Sequence, residues 1–283
     1  MTLLSLRAGS LGVDLAPRAG GSIVRFHLDG RDILRPMPAA ALQREAGRES
    51  PCFPLVPFSN RIANGDLRVD GKAYHLPCNW PGVRHPMHGD GWACAWQVAR
   101  ADETSAELVL DHDGSAGWPF RYRAHQSVRL DPTALSLRLA IDNLEDRPVP
   151  AGLGLHPFFR RDEDTTLAFR AEAVWLADAE VLPTEQVAVP PAWNFAESRA
   201  VELGIDNCFA GWDGHAAITW PGRRLRLAIE ASAPFRHAVV YTPADRSYFC
   251  VEPASHANGQ VAGALLAAGA TLAGTIVFRL SSL

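Results

Sequence analysis

Four short polar segments, far apart in the chain, carry the side chains best suited to chemistry: Asn60-Arg61-Ile62, His88-Gly89-Asp90, His156-Pro157-Phe158-Phe159 and Glu252-Pro253. They offer one arginine, two histidines and one glutamate. A carboxylate and an imidazole, with ordinary pKa values near 4.3 and 6.5, can exchange protons around neutral pH. The same set can hydrogen-bond a neutral polar ligand. Groups so widely spaced in sequence meet only if a large scaffold brings them together.

Each candidate also has a structural explanation. His85-Pro86-Met87-His88 places two histidines three apart, a metal-gripping spacing on a helix. A proline between them in a Gly-rich loop argues against that geometry, so no metal site is expected and His85 reads as a loop residue. His156 lies among apolar residues, where a histidine is either a satisfied core group or a functional one. Gly152 and Gly154 permit close approach of backbone or ligand, and Phe158 and Phe159 offer an apolar wall. Glu252 ends an apolar run, where a carboxylate is costly to bury unless it is used or paired; the alternative is an exposed strand end. Asp206-Asn207 is a common turn cap as well as a candidate pair. Trp80, Trp92, Trp118, Trp193 and Trp212 can stack on a sugar face or simply pack.

The elements that must position these groups read as strands. Leu135, Leu137, Leu139 and Ile141 alternate with Ser136, Arg138 and Ala140, and Leu225, Leu227 and Ile229 alternate with Arg226 and Ala228, the period of half-buried strands. Asp29-Gly30 and Asp70-Gly71 suit type I′ hairpin turns, and Pro221-Gly222 suits a type II turn. Only Ala39–Ala46 has a helical look. Val261 to Phe278 carries no charge but is broken by glycines, so it reads as a tight loop leading to a buried terminal strand over Thr275 to Leu280 rather than a membrane helix. No composition break divides the chain. The expectation is one domain over residues 1–283, all-β, a large antiparallel sandwich or barrel with very little helix.

Composition excludes several classes. The 283 residues are 47% hydrophobic and 20% charged, ordinary for a globular protein. A net charge of -4, with Arg121-Tyr122-Arg123 and Arg223-Arg224-Leu225-Arg226 alternating like solvated strand faces, argues against nucleic acid as a partner. Lys72 is the one lysine and sits in an exposed turn, which removes Schiff-base and phosphate-loop chemistry. Five cysteines without a C-x-x-C spacing fit reduced thiols in a cytoplasm. Met1 to Leu6 has no basic region and too short an apolar run for a signal peptide. There is no G-x-S-x-G, no dinucleotide fingerprint and no H-E-x-x-H.

Taken in order, the segments resemble the aldose 1-epimerase (galactose mutarotase-like) family. Asn60-Arg61-Ile62 with Gly65 is similar to its N-R-I-x-x-G segment, His88-Gly89 to its first histidine motif, and Gly117-Trp118-Pro119 to its G-[YW]-P segment. Asn143, Pro150 and His156-Pro157-Phe158-Phe159 resemble its second histidine motif. Asp206-Asn207-Cys208-Phe209 resembles D-[HN]-x-F, and Glu252-Pro253 with Ser255 and Asn258 resembles E-P-x-[ST]. The resemblance implies a galactose mutarotase-like β-sandwich with a sugar in an open groove. It implies Glu252 as general base, His156 as general acid and His88 as a second acid or hydrogen-bonding histidine, with Arg61, Asp206 and Asn60 binding sugar oxygens. The chain is shorter than typical galactose mutarotases, and His156-Pro157-Phe158-Phe159 has phenylalanine where many members have tyrosine; these departures leave the implied chemistry intact but count against galactose as preferred substrate.

The implied activity is interconversion of the α and β anomers of a free aldose, an isomerase reaction with no cofactor. The implied partner is a small-molecule sugar, with no nucleic acid and no membrane, and a monomer or homodimer in the cytoplasm. A mutarotase for a hexose 6-phosphate, with Arg61 and Arg84 as anion-binding candidates, is one alternative. A catalytically silent sugar-binding protein on the same fold is another. A hydrolase is disfavoured because hydrolysis usually uses two facing carboxylates.

Overall fold

The computed structural model describes residues 3–283; the first two residues of the Met1 to Leu6 segment lie outside it. Two antiparallel sheets make up the body. The first has eleven strands. Its central run is Ser22–Leu28, Cys52–Leu55, Gly154–Arg160, Tyr248–Ala254, His237–Tyr241 and Asp206–Ala210 in spatial order. The second has nine strands, centred on Leu225–Ala231, Thr271–Ser282, Ala134–Asn143 and Tyr122–Leu130. The sandwich expected from the alternating pattern is present.

The two sheets bury different patterns, and the difference makes the site. In the second sheet, Leu135, Leu137 and Leu139 are fully buried while Arg138 between them is exposed. That is a sheet with one face in the core and one in water. Its inner residues meet the first sheet through ring pairs such as Phe159–Phe278, with centroids 5.4 Å apart, and Phe26–Phe278 at 6.4 Å. In the first sheet, Cys52–Leu55 is buried throughout, and Gly154–Arg160 and Tyr248–Ala254 are buried at all but one end residue. Both faces of these strands are therefore covered. One face packs on the other sheet. The other carries a separate apolar cluster of Phe53, Leu55, Phe158 and Cys250 with Trp92 and Trp80. Because successive side chains alternate, Phe53 and Leu55, His156 and Phe158, and Cys250 and Glu252 all project to that second face.

Local expectations fare variously. Asp29 (φ 48°) and Gly30 (φ 75°), and Asp70 (φ 48°) and Gly71 (φ 76°), occupy the positive-φ positions that a type I′ turn requires. At Pro221-Gly222 the turn differs from the type II expectation. Pro221–Arg223 is a 3₁₀ turn, and Arg224 (φ 53°), not the glycine, takes the left-handed position. Gly222 instead donates its N–H to Asp164 Oδ2 at 2.5 Å. The helix is shorter than expected, Ala39–Gln43, and gives way to a 3₁₀ turn at Gly47–Glu49. The terminal strand is longer, Thr271–Ser282, because its pairing with Ala134–Asn143 starts at Thr271. All five cysteines are free thiols. No helix among the described residues is long and apolar enough to cross a membrane.

Leu137 tests the packing between the sheets apart from the site. Its side chain is fully buried in the middle of the second sheet. Leu137→Ala is expected to lower unfolding free energy by about 2–5 kcal/mol in urea titrations, with no change in ligand affinity of the folded fraction.

Candidate active site

Strand register builds the floor of a groove. Gly154 pairs with Ala254 and Phe158 with Cys250, which sets His156 opposite Glu252 on adjacent strands. His156 Nε2 and Glu252 Oε1 are 3.2 Å apart. On its other side His156 pairs with Phe53, whose ring lies 4.8 Å away, and the Phe158 ring stacks on the imidazole at 4.4 Å and 17°. Glu252 is not the exposed strand end that its local sequence allows; it is 2% exposed.

His88 arrives from a loop. Its backbone N–H donates to the Asn60 carbonyl at 2.9 Å, and its Nδ1 accepts the Asn60 N–H at 3.2 Å. An accepting Nδ1 assigns the proton of the neutral ring to Nε2. The ring lies 5.2 Å from that of His156. His88 (φ 64°) and Asn60 (φ 60°) both hold left-handed backbone, which costs a non-glycine residue unless its surroundings enforce it. Asn79 supplies much of that enforcement. Its Nδ2 donates to the carbonyls of Met87 (3.0 Å) and Gly89 (2.7 Å), and its Oδ1 accepts the Met87 N–H (2.8 Å). Gly89 has to be glycine: a Cβ there would lie 2.1 Å from the Val56 carbonyl oxygen.

Arg61 and Asp206 complete the polar wall. The Arg61 N–H donates to Asn60 Oδ1 at 2.9 Å. Asp206 opens the strand Asp206–Ala210 and pairs with Tyr241. Asn60, Arg61, His88, His156, Asp206 and Glu252 all line one cavity of about 470 Å³, a volume suited to a small polar molecule. The six site residues that the resemblance implies thus line one cavity.

Burial dominates the electrostatics. It raises the Glu252 carboxyl well above the usual range, with Asp206 adding to the rise and Arg61 opposing it. Burial likewise raises Asp206. It lowers His156 well below the usual imidazole value, with His88 and Arg35 adding to the effect, and lowers His88 to about 3. The shifts of Glu252 and His156 run in opposite directions for one reason: burial disfavours the charged form of each group, carboxylate at Glu252 and imidazolium at His156.

Several residues here have no sequence signal. Arg35 stacks over Phe158 at 3.8 Å and lies 5.0 Å from the Tyr248 ring, and it donates to the Glu49 and Ser50 carbonyls. Arg35, Arg48, Tyr241 and Tyr248 also line the cavity. They sit on separate segments without a motif. His256 is buried, its Nε2 accepting the Ser59 N–H at 3.1 Å and its Nδ1 facing the Ala257 carbonyl at 2.9 Å. It ties the Asn60-Arg61 segment to the end of the Glu252 strand. Ser255 Oγ accepts the Leu153 N–H at 2.9 Å, joining the strands three residues from each reactive group.

Other candidates fall elsewhere. His85 is buried outside the cavity, its Nδ1 accepting the Asn64 N–H at 3.0 Å, so it and His88 share no ligand. Arg84 is exposed and pairs with Glu180 rather than lining the groove. Of the five tryptophans considered for stacking, Trp80 alone lines the cavity, while Trp92, Trp118 and Trp212 are packing residues. Asn143 Nδ2 donates to three backbone carbonyls, those of Arg147, Leu266 and Ala267, and is structural.

Comparison with known proteins places the chain in a family. The chain is 32% identical to the Escherichia coli K12 protein YphB over 266 residues, 91% of this chain and 89% of that one. It is 25% identical to the human galactose mutarotase over 226 residues, 66% of this chain and 64% of that one. The crystal structure of a putative aldose 1-epimerase from Escherichia coli K12 superposes with a TM-score of 0.92 at 28% identity, covering 100% of this chain and 99% of that chain. The family model for aldose 1-epimerase matches residues 2–279. The chain belongs to the aldose 1-epimerase family.

Proposed function

We propose that the protein interconverts the α and β anomers of an aldose by opening and reclosing its ring, with Glu252 and His156 as the proton-exchanging pair and His88 as a second hydrogen-bond donor or acid. The observation that carries this reading is the 3.2 Å approach of His156 Nε2 to Glu252 Oε1 on the floor of a cavity walled by Arg61, Asp206, Asn60 and His88. In the forward direction Glu252 removes the proton of the anomeric hydroxyl while His156 protonates the ring oxygen. The C1–O5 bond breaks and a C1 carbonyl forms. Rotation about C1–C2 and closure on the other face reverse both transfers, so each group must serve as acid and as base. His88, with its proton assigned to Nε2, can donate to a sugar oxygen. Arg61 and Asp206, on opposite sides of the charge balance, can fix hydroxyl groups.

A hexose 6-phosphate is the second reading of substrate. Arg35 and Arg48 line the same cavity, and neither has a carboxylate partner within ion-pair distance among the described residues. An anomer-exchange assay by NMR over neutral and phosphorylated aldoses separates the two.

Glu252→Gln and His156→Asn are each expected to lower kcat by at least about 100-fold, with little change in KM. The double variant falls far short of the product of the two effects, because removing one partner already idles the other. A folded single variant that keeps more than about a tenth of the wild-type kcat overturns the assignment.

Asp206 and Arg61 are expected to act mainly in binding. Alanine at either position weakens sugar affinity by about 1–3 kcal/mol, read by calorimetric titration, and unchanged affinity in both removes them from the site.

Activity requires an ionised Glu252, so its raised pKa sets the acid limb of kcat/KM above the ordinary carboxylate range. Asp206 adds to that rise. In Asp206→Asn the like-charge repulsion is gone, so the acid limb moves to lower pH. A limb that stays in place or moves up excludes Glu252 as the group that titrates.

A further inference from the structure

The sheet register that faces Glu252 towards His156 also brings a third donor to the same point. Cys250 lies two residues before Glu252 on the same face of Tyr248–Ala254, and its strand neighbour Phe158 lies two residues after His156. One ligand atom from each of His156, Cys250 and Glu252 lies within 4.8 Å of the others, and all three residues are buried. We propose that these residues form a binding site for a thiophilic divalent cation, best matched by Zn²⁺, and that its occupation silences the acid–base pair.

Geometry and donor type carry the proposal. Zinc bonds of about 2.0–2.1 Å to nitrogen and oxygen at tetrahedral angles set those two ligands about 3.3 Å apart. His156 Nε2 and Glu252 Oε1 stand at 3.2 Å. The second carboxylate oxygen, Glu252 Oε2, is buried with no hydrogen-bond partner, an unusual state for a polar atom that a cation would relieve. The Cys250 sulfur selects Zn²⁺ over Mg²⁺ or Ca²⁺, which prefer oxygen alone. Three protein ligands leave a fourth position open to the groove for water or a sugar hydroxyl. On binding, the Cys250 thiol gives its proton to solvent and the sulfur takes the metal. His156 Nε2 and Glu252 donate lone pairs to the ion and can no longer accept a proton.

The test uses the full chain with Cys78→Ser, which removes the one exposed thiol, and Zn²⁺ titrated against a chromophoric chelator. One tight equivalent is expected, with Cys250→Ala and Cys250→Ser each weakening it at least about tenfold. Both variants are expected to keep wild-type anomer exchange in the absence of zinc. Zn²⁺ should stop exchange in the parent, EDTA should restore it, and Mg²⁺ should do neither. Zinc affinity that is the same in the parent and in both Cys250 variants overturns the proposal, and so does stoichiometric binding that leaves exchange untouched. The binding arm is read without any sugar, so failure to find a substrate leaves it decisive on its own.

Discussion

The cost of burying a carboxylate governs the whole first sheet. Taking an ion such as the Glu252 carboxylate out of water costs several kcal/mol unless its charge is met by partners. The fold meets it in part. Arg61 faces Glu252 across the cavity and opposes the rise that burial and Asp206 impose. Two imidazoles fill the adjacent space, their charged forms disfavoured by the same burial. The residual imbalance is what makes the carboxyl hold a proton more tightly than it would in water. A fully solvated glutamate would be a weaker base, and a glutamate locked to an arginine weaker still.

That imbalance persists only if the loops above the sheet hold still. Two of the six polar groups, Asn60 and His88, stand on left-handed backbone, worth of order 1–3 kcal/mol each when not offset. The compensation is a set of side-chain to backbone hydrogen bonds. Asn79 brackets His88 through Met87 and Gly89, the His88 ring accepts from Asn60, and His256 accepts from Ser59. Asn79 is half-buried but its partners Met87 and Gly89 are buried, as are Asn60, His88, Ser59 and His256, so breaking one of these bonds leaves a buried group unsatisfied, at about 1–3 kcal/mol. The loop positions are thereby as determined as the strands.

The sequence reveals the scaffold and the reactive set for different reasons. Period-two alternation exposes the second sheet, where one face is wet, but not the central strands of the first, whose two faces are both buried; Gly152-Leu153-Gly154-Leu155 and Phe249-Cys250-Val251 show apolar runs without a phase. The reactive residues are legible because they sit in short ordered motifs that resemble a family. Arg35 and Arg48 are not, since an arginine carries no sign of whether it faces water or a cavity. Asn79 and His256 are equally silent, because their roles depend on which distant backbone groups the fold delivers to them. Gly222 shows the limit of turn rules. Pro-Gly permits a type II turn, yet the Asp164 carboxylate and the following Arg224 settle the chain in another shape.

On the proposed reading, the proton-exchanging pair stands on strands and most of the sugar-binding groups stand between them. Glu252 and His156 stand on adjacent strands whose register has no freedom, since a slip of one residue would turn both side chains into the opposite face. Asn60, Arg61, His88, Arg35 and Arg48 come from the segments between strands, and all but Arg48 are held by hydrogen bonds to one another or to neighbouring backbone. On that reading, a change of loop length or charge alters which sugar fits, and whether it carries an anionic arm, without moving the 3.2 Å approach between His156 and Glu252. Cys250 stands on the same strand as Glu252 but has no part in the proposed proton transfer. It is fixed by the same register and packs on Phe53, Leu55 and Phe158, so any ion it helps to hold acts on the chemistry itself rather than on the choice of sugar.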